Sequence, residues 1–232
     1  MVQAATFLSC AALAVAAPTE LLRRTDSGFA SGYKPTTTQY EATFDDLEPV
    51  AGGLISLQPV GPYDGLDYEG ITKRVNGEVI AGVNPESSPN AGAYSARSQL
   101  LGGATPVITT NYAGSVTDTF DFQKFYFGCV VATAEAIAST PLSCTVKVQG
   151  YRASNEVAEQ EFEFNPGLLQ LTVDMVEASL NDDFKGVDTV TFTTDYSIPG
   201  AGATLLDSLS YKTYNAVVAQ GDKAGKKSWS ST

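Results

Sequence analysis

Two runs of alternating side chains, Phe120–Val131 and Cys144–Tyr151, each carry a cysteine at the end nearest the other run. In the first run Phe120, Phe122, Phe125, Phe127, Cys129 and Val131 recur at almost every second position, with a slip at Gln123 and Lys124. A period of two places these side chains on one face of a β-strand, and a slip inside it marks a bulge. In the second run Cys144, Val146 and Val148 alternate with Thr145, Lys147 and Gln149, as a strand with one buried and one wet face requires. Read as a paired hairpin, the runs bring Cys129 and Cys144 within bridging range. A disulfide closing a loop of this size stabilises the fold by roughly 3 kcal/mol through the unfolded chain. The alternative is two separate buried thiols.

The compartment bears on that choice. Ala4–Ala17 is an apolar run too short to span a bilayer but of the length of a signal-peptide core, and Ala14-Val15-Ala16 supplies a small-x-small cleavage site. Its n-region has no Lys or Arg, which departs from the usual pattern. The pair Arg23-Arg24 reads either as a processing site or as an exposed basic pair. Cys10 leaves with the signal, so two of the three cysteines remain for one bridge in an oxidising compartment. The expected organisation is a signal peptide over 1–16, a pro-segment or flexible leader over 17–38, a β-domain over 39–214 and a polar tail over 215–232 that holds the lone Trp229. Location outside the cell or in its wall follows.

The formal charge is −12, and loss of residues 1–24 removes two arginines and one glutamate, making the mature chain more acidic still. Nucleic acid and anionic membrane surfaces both need a basic face, so neither is an expected partner. No Asn-x-Ser/Thr sequon occurs.

Short strand-like segments fill the domain. Tyr40–Leu47, Ala51–Val60, Glu78–Val83 and pieces of Ala93–Thr110 precede the two cysteine runs; Glu159–Phe164, Leu168–Val176, Val187–Thr193 and Thr204–Tyr214 follow them. Pro62–Gly70, rich in Gly and Asp, reads as loop. Turn residues separate these segments and no helix is convincing. The expected fold is all-β: a two-sheet antiparallel jelly-roll sandwich of about eight or nine strands with one internal disulfide.

The set TFDDL, PYDGLDYEG, FDFQKFYFGCVV with a later SCTVKVQGY, GVDTVTF and LLDSLSY resembles a group of secreted fungal proteins of uncharacterised function. That group is similar to the jelly-roll fold of carbohydrate-binding modules and galactose-binding-like domains, and the resemblance covers about Tyr40–Tyr214. It implies an extracellular β-sandwich with an internal disulfide, and little chemistry. In carbohydrate-binding jelly rolls the first and last strands lie side by side and commonly share a structural Ca²⁺. Asp45 and Asp46 after the first strand, and Asp207 in the last, stand where its ligands would be; oxygen-only ligation suits Ca²⁺ and not zinc. Otherwise the first two are exposed loop carboxylates and the third an edge-strand residue facing solvent. An Asp between Leu206 and Leu209 needs some partner for its charge.

Histidine is absent from the sequence, which excludes a Ser-His-Asp triad, a His-bearing zinc site and a histidine-ligated copper centre. Carboxylate chemistry survives, since glycoside hydrolysis needs only two acids across a cleft. The binding reading rests on Tyr63, Asp64, Asp67, Tyr68 and Glu69: tyrosine rings offer an apolar face to a sugar, and neighbouring carboxylates accept its hydroxyl hydrogen bonds. The bland alternative has Tyr63 and Tyr68 closing the end of the core. Tyr94, Tyr112 and Tyr196 are equally available in loops. The expected function is therefore a secreted or wall-associated module recognising carbohydrate; the alternatives are a secreted protein-interaction protein or host-directed effector, and a carboxylate-dependent polysaccharide-cleaving enzyme.

Overall fold

A computed structural model describes residues 36–47, 58–74, 82–95, 104–132, 140–167 and 170–215, all within a body spanning Lys34–Thr232. The expected signal peptide, all but the end of the leader, most of the Ala51–Val60 and Glu78–Val83 segments, and the tail beyond Asn215 lie outside the described residues.

Thirteen strands and one 3₁₀ turn are formed among the described residues. In chain order the strands are β1 (Thr37–Ala42), β2 (Pro59–Tyr63), β3 (Leu66–Arg74), β4 (Val83–Asn84), β5 (Ala91–Ser95), β6 (Val107–Thr109) and β7 (Thr117–Val131). They continue as β8 (Cys144–Arg152), β9 (Asn155–Phe164), β10 (Val173–Asp174), β11 (Val176–Ser179), β12 (Thr189–Tyr196) and β13 (Gly202–Asn215). The 3₁₀ turn Asp182–Phe184 precedes β12. Hydrogen bonds join eleven strands along the path β11-β7-β13-β5-β3-β6-β12-β8-β9, with β1 beside β13 and β2 beside β3, while β4 and β10 form a separate parallel pair. The all-β antiparallel sandwich is present, but its layers belong to one continuous sheet.

The sheet changes layer at β3. Its first half, Asp67–Glu69, pairs with β6, and its second half, Thr72–Arg74, pairs with β5. Between them sits Gly70 at φ +67°, where a Cβ would lie 2.7 Å from the carbonyl oxygen of Ala104. Only glycine fits that corner. Aromatic contacts then close the two layers on each other: Phe125 of β7 meets Phe192 of β12 and Phe162 of β9 edge-on, each at 5.7 Å between ring centres. Phe127 meets Phe164 at 6.2 Å. Such pairs add about 0.5–1.5 kcal/mol each beyond the area they bury.

The slip in the first cysteine run is a pair of irregularities between β7 and β13. Tyr211 faces Phe122 and Ser210 faces Lys124, leaving Gln123 unmatched, and Ser208-Leu209 then stand against Phe125 alone. Ser208 takes φ +47° there. The offset keeps Phe122 and Phe125 on the buried face.

Cys129 and Cys144 are bridged, with Cα atoms 6.3 Å apart. The two runs do not form the expected hairpin, however. β7 pairs with β11 and β13, whereas β8 lies between β12 and β9. Where they meet, Val130 of β7 bridges to Pro141, three residues before β8. The connection from Val131 to Cys144 is far longer than a tight hairpin loop, so the chain crosses to the other layer instead. The disulfide therefore ties layer to layer. Pro62–Gly70 is also corrected: it forms most of the β2–β3 hairpin, turning at Asp64-Gly65. The count of eight or nine strands falls short for the same reason, together with the two-residue strands β4 and β10.

The two ends of the sheet path, β9 and β11, come close without forming a ladder. The Gln160 side chain spans the gap: its Nε2 donates to the Ser179 carbonyl at 3.2 Å, and its Oε1 accepts from the Asn181 N–H at 3.0 Å.

Candidate functional site

The β2–β3 hairpin carries all five residues expected to hold a sugar. Asp64 and Gly65 at its tip have φ of +48° and +80°, the left-handed pair of a type I′ turn. Strand alternation beyond the tip separates the five. Leu66 and Tyr68 point into the core with no exposure, while Asp67 is half-buried and Glu69 exposed on the outer face. Tyr68 packs edge-on against Phe44 at 5.7 Å and donates to the Tyr211 hydroxyl at 3.1 Å. Tyr211 donates onward to the Asp64 carbonyl at 3.0 Å. Burial drives the Tyr68 and Tyr211 phenols well above the usual range. Tyr68 has no surface to offer a ligand, which corrects its expected role.

Tyr63 is half-buried, stacks on Phe44 at 5.6 Å and donates to Asp46 Oδ1 at 2.7 Å. Burial, the Asp46 hydrogen bond and the charge of Asp64 all raise its pKa. Burial, with help from Asp46, also raises the Asp64 carboxyl. The tyrosines of this hairpin close the end of the core, and the five residues do not form one site.

The three aspartates proposed for calcium each have other contacts. Asp45 Oδ1 accepts from the Asn90 N–H at 2.8 Å, and Asp46 holds Tyr63. Asp207 has no exposure; its carboxylate accepts from the Ser87 N–H at 2.6 Å, the Ser87 hydroxyl at 2.9 Å and the Ser208 N–H at 2.7 Å. These donors are the partner its charge requires, yet burial outweighs them and pushes the carboxyl up to about 6, with Asp45 contributing repulsion. Among the described residues no group of three or more His, Cys, Asp or Glu side chains is placed to hold a metal ion.

A cleft of about 740 Å³ opens where the β6–β7 loop, the β8–β9 turn and the start of β12 meet. Tyr112, Tyr151, Asp118 and Asp188 line it among serine and threonine side chains. Asp188 fixes its floor: its N–H donates to the Tyr151 carbonyl at 2.9 Å, its carbonyl accepts from the Thr110 N–H at 2.9 Å, and its Oδ2 accepts from the Ala153 N–H. That last bond holds a turn in which Ala153 and Ser154 both sit at positive φ, +47° and +66°. The β6–β7 loop is tied by Ser115 N–H to the Tyr112 carbonyl at 3.1 Å and by Thr117 Oγ1 to the Gly65 carbonyl at 3.0 Å. The cleft therefore adjoins the hairpin tip.

Both cleft tyrosines are half-buried. Among the described residues neither ring stacks on another aromatic, and neither hydroxyl makes a hydrogen bond. The other two tyrosines expected in loops lie in strands instead: Tyr94, in β5, is buried with its hydroxyl on Thr194, and Tyr196, ending β12, reaches Thr204.

No protein-family model matches the chain, and no curated protein matches it. Among solved structures, a DUF4465 family protein from Bacteroides caccae ATCC 43185 superposes with a TM-score of 0.49 at 13% identity, over 75% of this chain and 98% of that one. A CBM22-1-CBM22-2 tandem domain from Paenibacillus barcinonensis Xyn10C superposes with a TM-score of 0.35 at 12% identity, over 85% of this chain and 50% of that one.

Of the cleft residues, only Tyr112 is singled out by its sequence, as an aromatic in a loop. Tyr151 ends a strand, and Asp118 and Asp188 are far apart along the chain from it and from each other. The cross-strand register places Thr109, Thr189 and Tyr151 in one row, which no local pattern announces.

Proposed function

We propose that this chain is a binding module of the cell exterior whose cleft between the β6–β7 loop and the β8–β9 turn holds carbohydrate. The observation that carries the reading is the pair Tyr112 and Tyr151, two tyrosines with no ring or hydrogen-bond partner among the described residues, beside carboxylates and hydroxyls in a cleft of about 740 Å³. A sugar ring needs an apolar face against its C–H surface and polar groups at its rim, and that volume falls in the range of small-molecule sites. Of the other described aromatic rings, all but Tyr214 lie in the core or pack against it. The Cys129–Cys144 disulfide supports a location outside the cytosol, in keeping with the export signal expected at the N-terminus.

The test is titration of the purified chain with a panel of neutral, amino and acidic oligosaccharides. Tyr112→Ala and Tyr151→Ala should each weaken binding by about tenfold, the scale of one lost aromatic contact. Failure of every oligosaccharide to bind would overturn the reading. Release of new reducing ends during the titration would replace it with hydrolysis.

A further inference from the structure

The fixed charges of the cleft all have one sign. Asp118 and Asp188 line it, and among the described residues no Lys or Arg does. One oxygen of Asp188 accepts from Ala153, and the other has no hydrogen-bond partner among the described residues. The exposed Asp118 engages the fold through its main-chain carbonyl, which accepts from Thr110 Oγ1 at 3.3 Å, and its side chain makes no hydrogen bond among those residues. Three lining hydroxyls donate back into the fold: Thr110 to Asp118, Ser115 to the Thr117 carbonyl and Thr117 to the Gly65 carbonyl. The Thr189 hydroxyl shares a hydrogen bond with that of Thr109 at 3.2 Å, and the remaining neutral groups, the Asn111 amide and the hydroxyls of Tyr112, Tyr151, Ser154 and Thr191, supply both donors and acceptors and set no preference for charge. The neighbouring Arg152 guanidinium rests against Gly186, and Lys185 pairs with Asp182 at 2.7 Å.

Resting on the carbohydrate reading of this cleft, we infer that it selects glycans whose units bear a free, protonated amine over their N-acetylated or uronic acid counterparts. An ammonium group brings three donors and no acceptor, which suits carboxylate oxygens left without donors. A uronate brings acceptors and a charge that both aspartates repel. An N-acetyl group removes the positive charge that the two aspartates attract and adds a carbonyl, for which no described lining residue is a cation. The tyrosine rings bind the sugar ring and the aspartates choose its substituent.

Matched oligomers of glucosamine, N-acetylglucosamine and galacturonate are titrated into the full chain at low and high salt, at mildly acidic pH. The glucosamine oligomer should bind about fivefold tighter than the N-acetylated one at low salt, the worth of one exposed ion pair. Added salt and Asp118→Asn should each shrink that gap, and Tyr151→Ala should weaken both. Equal or tighter binding of the N-acetylated or uronate oligomer overturns the inference while leaving the carbohydrate reading intact. So does a preference for the amine that neither Asp118→Asn nor Tyr151→Ala reduces, since that is adsorption of a polycation elsewhere on an acidic surface. If no oligomer binds, the underlying carbohydrate reading fails first.

Discussion

The hairpin end of the sandwich and the cleft beside it hold the same residue types and use them in opposite ways. At the hairpin, Tyr63, Tyr68 and Tyr211 are committed to Phe44, to one another and to Asp46 and Asp64. At the cleft, Tyr112 and Tyr151 have no partner ring among the described residues. The aspartates divide likewise: Asp207 is enclosed by three donors, whereas the Asp118 side chain faces outward. A tyrosine beside an acid is therefore no mark of a binding site. What decides is whether the strand's alternation turns the ring inward, and whether another ring already covers it.

The strongest way to break this contrast is to truncate one tyrosine on each side. Tyr68→Ala should cost about 3–5 kcal/mol of stability in denaturant unfolding, the range for emptying a buried aromatic site. Tyr151→Ala should cost about 1 kcal/mol or less while weakening glycan binding about tenfold. If the two variants were destabilised alike, the cleft ring would be structural and the division would disappear.

A somewhat smaller effect sharpens the contrast between aspartates. The folded-state pKa of Asp207, about 6, stands above the ordinary value of 3.8. The raised value means that its stabilising contribution is complete below about pH 3.8 and is lost as pH rises through 6, about 3 kcal/mol in all. Asp64, also raised by burial, acts in the same direction. Glu177 acts oppositely and lower: Ser179, Tyr126 and Lys124 hold it down at about 2, so its contribution is present above 4.5 and fades as pH falls toward 2. Thermal unfolding between pH 4 and 7 should thus show a loss of stability with rising pH that Asp207→Asn flattens. An unchanged slope in that variant would refute the assignment.

The smallest effect concerns the rim of the packed end. Tyr63→Phe removes the 2.7 Å bond to Asp46 but keeps the ring on Phe44. A loss of about 1 kcal/mol is expected, with glycan affinity unaltered. A drop in affinity equal to that of Tyr151→Ala would extend the binding surface onto the hairpin.

Strand character was legible wherever one face is buried. The alternation and slip of Phe120–Val131, the need of Asp207 for a partner and the Cys129–Cys144 bridge all follow from local pattern and count. Pairing partners were not, because the period of two names the buried face but not the neighbouring strand. The cysteine runs thus look like a hairpin and sit in opposite layers. The Asp64-Gly65 turn was legible in principle, since Asp-Gly between Tyr63 and Leu66 is a hairpin signal, but the glycine-rich composition masks it. The cleft was the least legible part. Its residues come from three loops and three strands, and only the register of the folded sheet assembles them.

The Gln160 amide between β9 and β11 has a consequence for how molecules of this protein meet one another. Sheet margins with unused peptide groups invite a strand from a second molecule, and from there growth into fibrils. Here the two margins face each other with a primary amide standing in for a peptide unit, donating to Ser179 and accepting from Asn181. The outward Glu161 and Glu163 add like-charge repulsion toward any incoming copy of β9, while Glu159 is held by Lys147 at 2.7 Å. A single side chain thereby helps keep this layered fold from polymerising through those margins.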